Sequence, residues 1–441
     1  MENEKRNRSR RDFMKQSTML AGGIMAMPLV SNAGYFHSVD DTIKVAVIGC
    51  GGRGTGAAMQ ALSTKQNVKL VAMADAFRDR LDAAYNALTS GEEGDVSAKV
   101  AVTEDTKFVG FDAYKKAIPL ADVVILATPP GFRPIHFEEA VRQGKHIFME
   151  KPVATDPAGV KRVLEVAETA RQKKLNVVVG LQRHYQTSYR ELYKRVKDGM
   201  IGDITSAQVY WNSGGVWVRP RKPDQTEMEY QMRNWYYFNW LCGDHICEQH
   251  IHNMDVMHWF KGDYPVKAQG MGGRQVRTGR EYGEIFDHHF VEYTFADGTV
   301  MNSQCRHIKG TYSIVDETIV GTKGVVKCGA AQITRKGKVA FTFDKTKENN
   351  PYQAEHDELF AAIANGQYKF DDTERGAKST LVAIMGRMAT YSGQIIDFNQ
   401  TLNSGISLQP ERYAFDAMPP IVPDENGFYP VAQPGVTKYF S

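Results

Sequence analysis

The chain has 441 residues, of which 42% are hydrophobic and 24% charged, with a formal net charge of +3 at pH 7. That length favours two domains over one core, and the near-neutral balance excludes the clustered basic surface of a nucleic-acid binder. No apolar run is long enough to span a bilayer, and the five cysteines are too few and too scattered for a disulfide framework or a CxxC zinc site. Buried free thiols are the expected state. In chain order, RSRRDFMK (8–15) carries a twin-arginine pair, TMLAGGIMAMPLV (18–30) is apolar, and Ser31-Asn32-Ala33 offers small residues for cleavage. Residues 1–33 therefore read as a twin-arginine (Tat-type) signal peptide, which predicts periplasmic export of an already folded protein.

From residue 42 apolar runs alternate with helical patterns. IKVAVIG (43–49), VKLVAMAD (68–75), ADVVILATPP (121–130), KHIFME (145–150) and LNVVVG (175–180) read as strands. GRGTGAAMQAL (52–62), FRDRLDAAYNAL (77–88), IHFEEAVRQG (135–144) and 154–172 read as helices, the last with Asp156 as N-cap and Pro157 in the first turn. Near-continuous apolar strands joined by helices predict a parallel, doubly wound sheet, assigned here to a Rossmann domain over 42–160. GCGGRG (49–54) is GxGxxG at a strand-to-helix turn. Gly49 permits the tight turn, Gly51 and Gly52 bring backbone to a pyrophosphate, Arg53 opens the helix, and Gly54 lets helix pack on strand. The helix N-terminus favours the anion. Asp75, 21 residues after Gly54, stands where an acid accepts hydrogen bonds from the adenosine ribose. It favours NAD over NADP, and Arg78 beside it weakens that preference.

Beyond about residue 200 the texture changes. SAQVYW (206–211), HHFVEYTF (288–295), TVMNSQC (299–305) and KVAFTF (338–343) alternate in and out, separated by turn signals. They predict a mostly antiparallel open sheet with helices on one face, in a second α/β domain over 161–400. Residues 354–366 and 374–393 read as helices, and a tail follows over 401–441. All five tryptophans fall between 211 and 259, and MRNWYYFNW (232–240) is the densest run. Sugar rings present apolar faces that stack on aromatic planes, so Trp235 and Tyr236 are candidate walls of a carbohydrate cleft; core packing is the alternative.

Three further segments resemble one family. ATPP (127–130) followed by His136, FMEKPVATD (148–156), and Glu248-x-x-x-His252-x-x-Asp255, with GLQRHY (180–185) and GMIGDI (199–204), are together similar to the glucose–fructose oxidoreductase and inositol dehydrogenase (Gfo/Idh/MocA) family over about 42–395. The resemblance implies an NAD(P)-binding Rossmann domain and a C-terminal domain whose open sheet makes a dimer or tetramer. A sugar or polyol would lie between the two. It adds Thr128, Pro129, His136, Glu150 and Lys151 to the cofactor contacts. The family's EKP lysine falls on Lys151 and its proton-exchanging histidine on His252. The acid four residues earlier is usually aspartate in the family; here it is Glu248. Arg183, Tyr185 and Asp255 join Trp235 and Tyr236 as candidate substrate contacts.

Read as one helix, HICEQHIHNMDVMHWF (245–260) places His245, Glu248, His252, Asp255 and Trp259 on one face. An acid–base reading makes His252 the proton acceptor, Glu248 its support and Lys151 the group that stabilises developing negative charge. A metal reading would use His245, Glu248 and His252, but hydride transfer to NAD needs no metal, and none is expected. A core-facing helix is the bland reading. Three functions remain: an NAD(P)-dependent sugar or polyol dehydrogenase, exported with tightly bound cofactor; a glycosidase that uses NAD in a cycle of oxidation, elimination, water addition and reduction; or a non-catalytic sugar-binding protein.

Overall fold

A computed structural model describes residues 42–91 and 95–440. The twin-arginine segment lies outside them.

Six strands, β1 (Ile43–Ile48), β2 (Val68–Asp75), β3 (Lys107–Val109), β4 (Val123–Leu126), β5 (His146–Met149) and β6 (Val177–Val179), form a parallel sheet in the order β3-β2-β1-β4-β5-β6. β4 and β6 are buried at every position, as a sheet covered on both faces requires. Helices Gly52–Leu62, Arg78–Thr89, Arg133–Arg142 and Pro157–Gln172 cover it. The last starts where expected: the Asp156 carboxylate accepts the Gly159 N–H at 2.7 Å. Because β6 pairs with β5, the parallel half runs on to about residue 180 and not to 160. A crossover helix carries no mark of which sheet its next strand will join.

A nine-stranded sheet forms the second half. It comprises β7 (Ile204–Ser213), β8 (Lys267–Gly273), β9 (His288–Thr294), β10 (Val300–His307), β11 (Ile314–Gly321), β12 (Val325–Lys327), β13 (Gln332–Arg335), β14 (Lys338–Thr342) and β15 (Ile396–Asp397). Their order is β14-β13-β12-β11-β7-β10-β9-β8-β15, and only the β7–β10 pair is parallel. Burial alternates strictly along β9 and β10. The buried rows face helix Thr373–Ser392 and the histidine-rich segment. That segment is not one helix. Helix His245–Glu248 ends at Gln249, and a second runs Ile251–Lys261. The tail is packed: Phe415 lies 5.4 Å from Phe77 and 4.8 Å from Phe111, ring centre to ring centre.

Candidate active site

The turn after β1 is shaped by contacts that exclude side chains. Gly49 has φ +97°, and a Cβ there would lie 2.5 Å from the Thr128 nitrogen. A Cβ on Gly54 would lie 1.8 Å from the Gly49 carbonyl oxygen. Gly51 and Gly52 differ: a Cβ on either meets nothing within 4 Å, because both face a cavity of about 360 Å³. Side chains there would take up the space that the N-terminus of helix Gly52–Leu62 offers to a pyrophosphate. Asp75 sits on the cavity wall, its carboxylate oriented by the N–H groups of Cys50 (2.7 Å) and Phe77 (2.8 Å). Burial raises its pKa. The glycine cradle, helix terminus and oriented acid fit a nicotinamide dinucleotide.

The remaining expected cofactor contacts divide. Arg53, Thr128, Pro129 and His136 line the cavity. His136 is held neutral, pushed down to about 3 by burial and by Arg133, and shares a 3.2 Å hydrogen bond with the Thr128 hydroxyl. Glu150 is not on the wall but pairs with Arg53, which also approaches Glu355 at 3.6 Å. Arg78 is misassigned. It is exposed and bound to Asp82 and Glu104, and Arg80, two residues on, lines the cavity instead. Helix Arg78–Thr89 turns its first residue outward, a phase that adjacent arginines do not reveal. The other wall comes from the second half of the chain, where Trp217, Arg219, Met232 and Arg233 join the expected Trp235. Arg233 ties the two halves together by binding Asp79 with both terminal nitrogens (3.0 and 3.1 Å).

Lys151 and Glu248 meet from opposite halves. Lys151 Nζ donates to the Glu248 main-chain oxygen and, at 3.2 Å, to its carboxylate. Burial raises the Glu248 pKa, and Lys151 opposes that shift. His252 follows on the next helix, its ring 6.0 Å from and stacked on Trp211. Burial, Lys151 and Arg183 hold its pKa well below the ordinary imidazole value, so the ring is neutral. None of the three lines the cofactor cavity. Glu248 does not support His252 as expected; the break at Gln249 turns it to Lys151.

Three expected substrate contacts serve the framework instead. Asp255 is buried and accepts hydrogen bonds from His184 Nε2 (2.6 Å) and the Ser379 hydroxyl (2.9 Å). Tyr185 is buried, with its hydroxyl on Asp372 at 3.2 Å. Arg183 is ion-paired with the fully buried Glu317. Trp235 keeps its place on the wall, with Trp217 edge-on at 5.8 Å. Tyr236 packs beneath it, its hydroxyl buried without a partner. Trp240 is buried and Trp259 packs half-buried against the core beside Tyr193, so the tryptophan cluster splits between wall and core. The set His245, Glu248 and His252 is not assembled as a ligand group, since His245 turns toward β9.

A dinucleotide cradle facing a lysine–carboxylate–histidine cluster defines a nicotinamide-dependent oxidoreductase. Residues 43–181 match the family model of the oxidoreductase NAD-binding Rossmann fold, and 189–327 match the C-terminal domain of the same family. The chain belongs to the Gfo/Idh/MocA family. It is 27% identical over 369 residues to inositol 2-dehydrogenase 3 of Saccharopolyspora erythraea, covering 80% of this chain and 95% of that one. It is 24% identical over 211 residues to the 2,7-anhydro-N-acetylneuraminate hydratase of Escherichia coli, covering 47% of this chain and 51% of the relative. Its fold is similar to that of scyllo-inositol dehydrogenase from Lactobacillus casei, solved with NAD(H) and scyllo-inositol. The TM-score is 0.61 at 20% identity, covering 81% of this chain and all of that one.

Proposed function

We propose that this protein transfers hydride between a nicotinamide cofactor and a CH–OH carbon of a polyol, cyclitol or sugar. The observation that carries the reading is the Lys151–Glu248 pair, with neutral His252 near enough for the Lys151 charge to act on it, in a chain whose glycine cradle lines a cavity. The cofactor, when bound, supplies the hydride acceptor or donor. Gly51 and Gly52 admit the pyrophosphate and Asp75 orients the adenosine ribose. Lys151 Nζ holds the substrate oxygen and stabilises negative charge as it develops there. The His252 imidazole takes the hydroxyl proton, which it can do only because it is uncharged beforehand. Glu248 keeps the lysine ammonium in place. Trp217 and Trp235 shield the cleft from water and offer planes to an apolar ring face.

The test uses protein purified without added nucleotide and a panel of cyclitols, aldoses and glycosides. A rise in reduced-nicotinamide absorbance with one class supports the reading and names the substrate. No response with any of them, with NAD or NADP added, rejects it. The relation to a hydratase favours a second reading, since hydration involves no net oxidation: a redox-neutral cycle, including glycoside cleavage. Nitrophenol release from nitrophenyl glycosides without net reduction of the cofactor separates the two. Twin-arginine export with tightly held cofactor belongs to the same proposal, supported by the Arg10–Arg11 pair. Replacing both with lysine should leave the protein in the cytoplasm, as read by fractionation. A homo-oligomer is proposed on the open sheet, where Met271, Val315 and Val339 are exposed; sedimentation reads it.

A further inference from the structure

Behind the cleft lies a second cluster that the hydride-transfer reading does not use. Asp244 has φ +72° and ψ +162°, a conformation that is strained for a non-glycine residue. It aims a wholly buried carboxylate inward. One oxygen caps the His245 N–H; the other accepts the Phe286 N–H at 3.0 Å and the Tyr391 hydroxyl at 2.6 Å. His289, on β9, brings its Nε2 to 3.3 Å from that second oxygen.

The other ring nitrogen of His289 meets helix Thr373–Ser392. That nitrogen, Nδ1, lies 2.9 Å from the Thr390 hydroxyl, and that hydroxyl also lies near the main-chain oxygens of Gly386 (3.1 Å) and Arg387 (3.0 Å). A hydroxyl has one proton. With that proton on a carbonyl, Thr390 accepts from His289 Nδ1–H and leaves Nε2 free for a cation; with it on Nδ1, Nε2–H faces Asp244 instead. His245 completes the group, its ring centre 4.8 Å from that of His289. It is fully buried, and neither ring nitrogen has a hydrogen-bond partner among the described residues. Its Nε2 is 3.8 Å from Asp244 Oδ1. Neither arrangement of the His289 ring gives the His245 nitrogens a partner in the interior, which is costly. A cation among the three would take Asp244, His289 Nε2 and one His245 nitrogen as ligands. One ligand atom from each of Asp244, His245 and His289 lies within 4.8 Å of the others.

We propose that Asp244, His245 and His289 hold a divalent transition metal, and that zinc fits this set of two imidazoles and one carboxylate. It is a different set from the His245, Glu248 and His252 group considered from the sequence. Thr390 is the outer partner that fixes the His289 tautomer, and Phe286 N–H and Tyr391 orient the carboxylate, as metal-bound side chains require. His307 stacks on His245 at 4.3 Å but gives its Nε2 to Gln249 at 2.7 Å, and is a neighbour, not a ligand. The metal pins β9 to the segment that begins at Asp244 and carries Glu248 and His252. Its role is to hold that segment, with no part in hydride transfer.

The test is metal analysis of the full chain, prepared without a metal-affinity column and dialysed. Zinc stoichiometric with the chain is expected in the wild type and lost in His289→Gln and His245→Gln. The variants' nucleotide binding and circular dichroism show whether they have folded. X-ray absorption on the wild type decides the matter if they have not: nitrogen and oxygen ligands at about 2.0–2.2 Å are expected. A sulfur shell would place the metal on the buried cysteines and overturn the proposal. So would a wild type that carries no metal and, refolded with cobalt(II), shows no ligand-field bands. Metal retained in both folded variants would overturn it too.

Discussion

The two faces of the cleft are built in different ways. On the cofactor face, residues 49–54 act within one strand–turn–helix, and their geometry is fixed by main-chain contacts, between Gly54 and Gly49 inside the turn and between Gly49 and Ala127–Thr128 beside it. On the opposite face, Glu248 and His252 stand on two helices separated by a break. Each is placed by partners far along the chain: Lys151 for Glu248, Trp211 for His252. A local motif tolerates almost nothing at its glycines. A face assembled from distant pieces depends on buried polar bonds, and its side chains divide sharply between the cleft and the framework.

The largest effect that separates the faces is expected at Gly54. Gly54→Val sets a branched side chain where even a Cβ would come 1.8 Å from the Gly49 oxygen and 3.3 Å from the Ala127 side chain. Nucleotide affinity should fall at least ~100-fold, with a lower melting temperature, because the Gly49 backbone cannot yield. Near-native affinity by titration calorimetry would show that the turn is not the cradle. Next come Lys151→Met and His252→Asn. Each should lower kcat by about 10²–10⁴ while nucleotide affinity stays within a few-fold, since proton transfer and charge stabilisation are lost but the cradle is intact. The wild-type pH profile sharpens this. The His252 pKa is depressed, so the ring stays neutral and competent below the ordinary imidazole range. Activity should show no acid limb near pH 6.5 from this group, and the base should be lost only at lower pH.

Asp255 tests the division on the far face. His184 accepts from Arg375 at Nδ1 (3.0 Å) and donates from Nε2 to Asp255, which makes it a neutral ring serving an ionised carboxylate. Burial and the Arg375 charge lower the His184 pKa, against the pull of Asp255, while His184 and Arg375 outweigh burial and lower that of Asp255 to about 2. A carboxylate with a depressed folded pKa stabilises above its unfolded value near 3.8, and that contribution fades as pH falls toward 2. Asp255→Asn should therefore cost about 2–3 kcal/mol at pH 7 and progressively less under acid. Substrate KM should be unchanged in the folded fraction. Urea denaturation at several pH values, with steady-state kinetics, reads both; a raised KM with unaltered stability would return Asp255 to the substrate site.

These cases show what was legible in the sequence and why. The parallel sheet, the glycine turn, Asp75 and the Asp156 cap were readable because each is set by residues within one turn or strand. The antiparallel half was readable in kind, from alternating burial, but not in order. Nothing local announces that β7 lies beside β10 in parallel. The Glu248–His252–Asp255 spacing was real, but helical periodicity does not register a break at Gln249, and it cannot show that Asp255 faces His184. On the cavity wall only Trp235 was legible; that its neighbours reach the cofactor face depends on tertiary contacts such as the ion pair of Arg233 with Asp79.

The smallest expected effect concerns two arginines on the cofactor face, where even the local reading slipped by two residues. Arg78 spends its guanidinium on Asp82 and Glu104 at the surface. Arg80 lines the cavity, close enough to Asp75 to act on its carboxyl. A 2′-phosphate on the adenosine ribose would meet the Asp75 carboxylate, and a cation beside that acid is what would offset the repulsion. Arg80→Ala should therefore weaken NADP binding several-fold and leave NAD within about two-fold, whereas Arg78→Ala should leave both within about two-fold. Competitive titration of the two nucleotides against each variant measures the difference. A change in the nucleotide preference on removing Arg78 alone would mean that helix Arg78–Thr89 turns its first residue into the cleft once nucleotide is bound, and the outward ion pairs would then belong only to the nucleotide-free state.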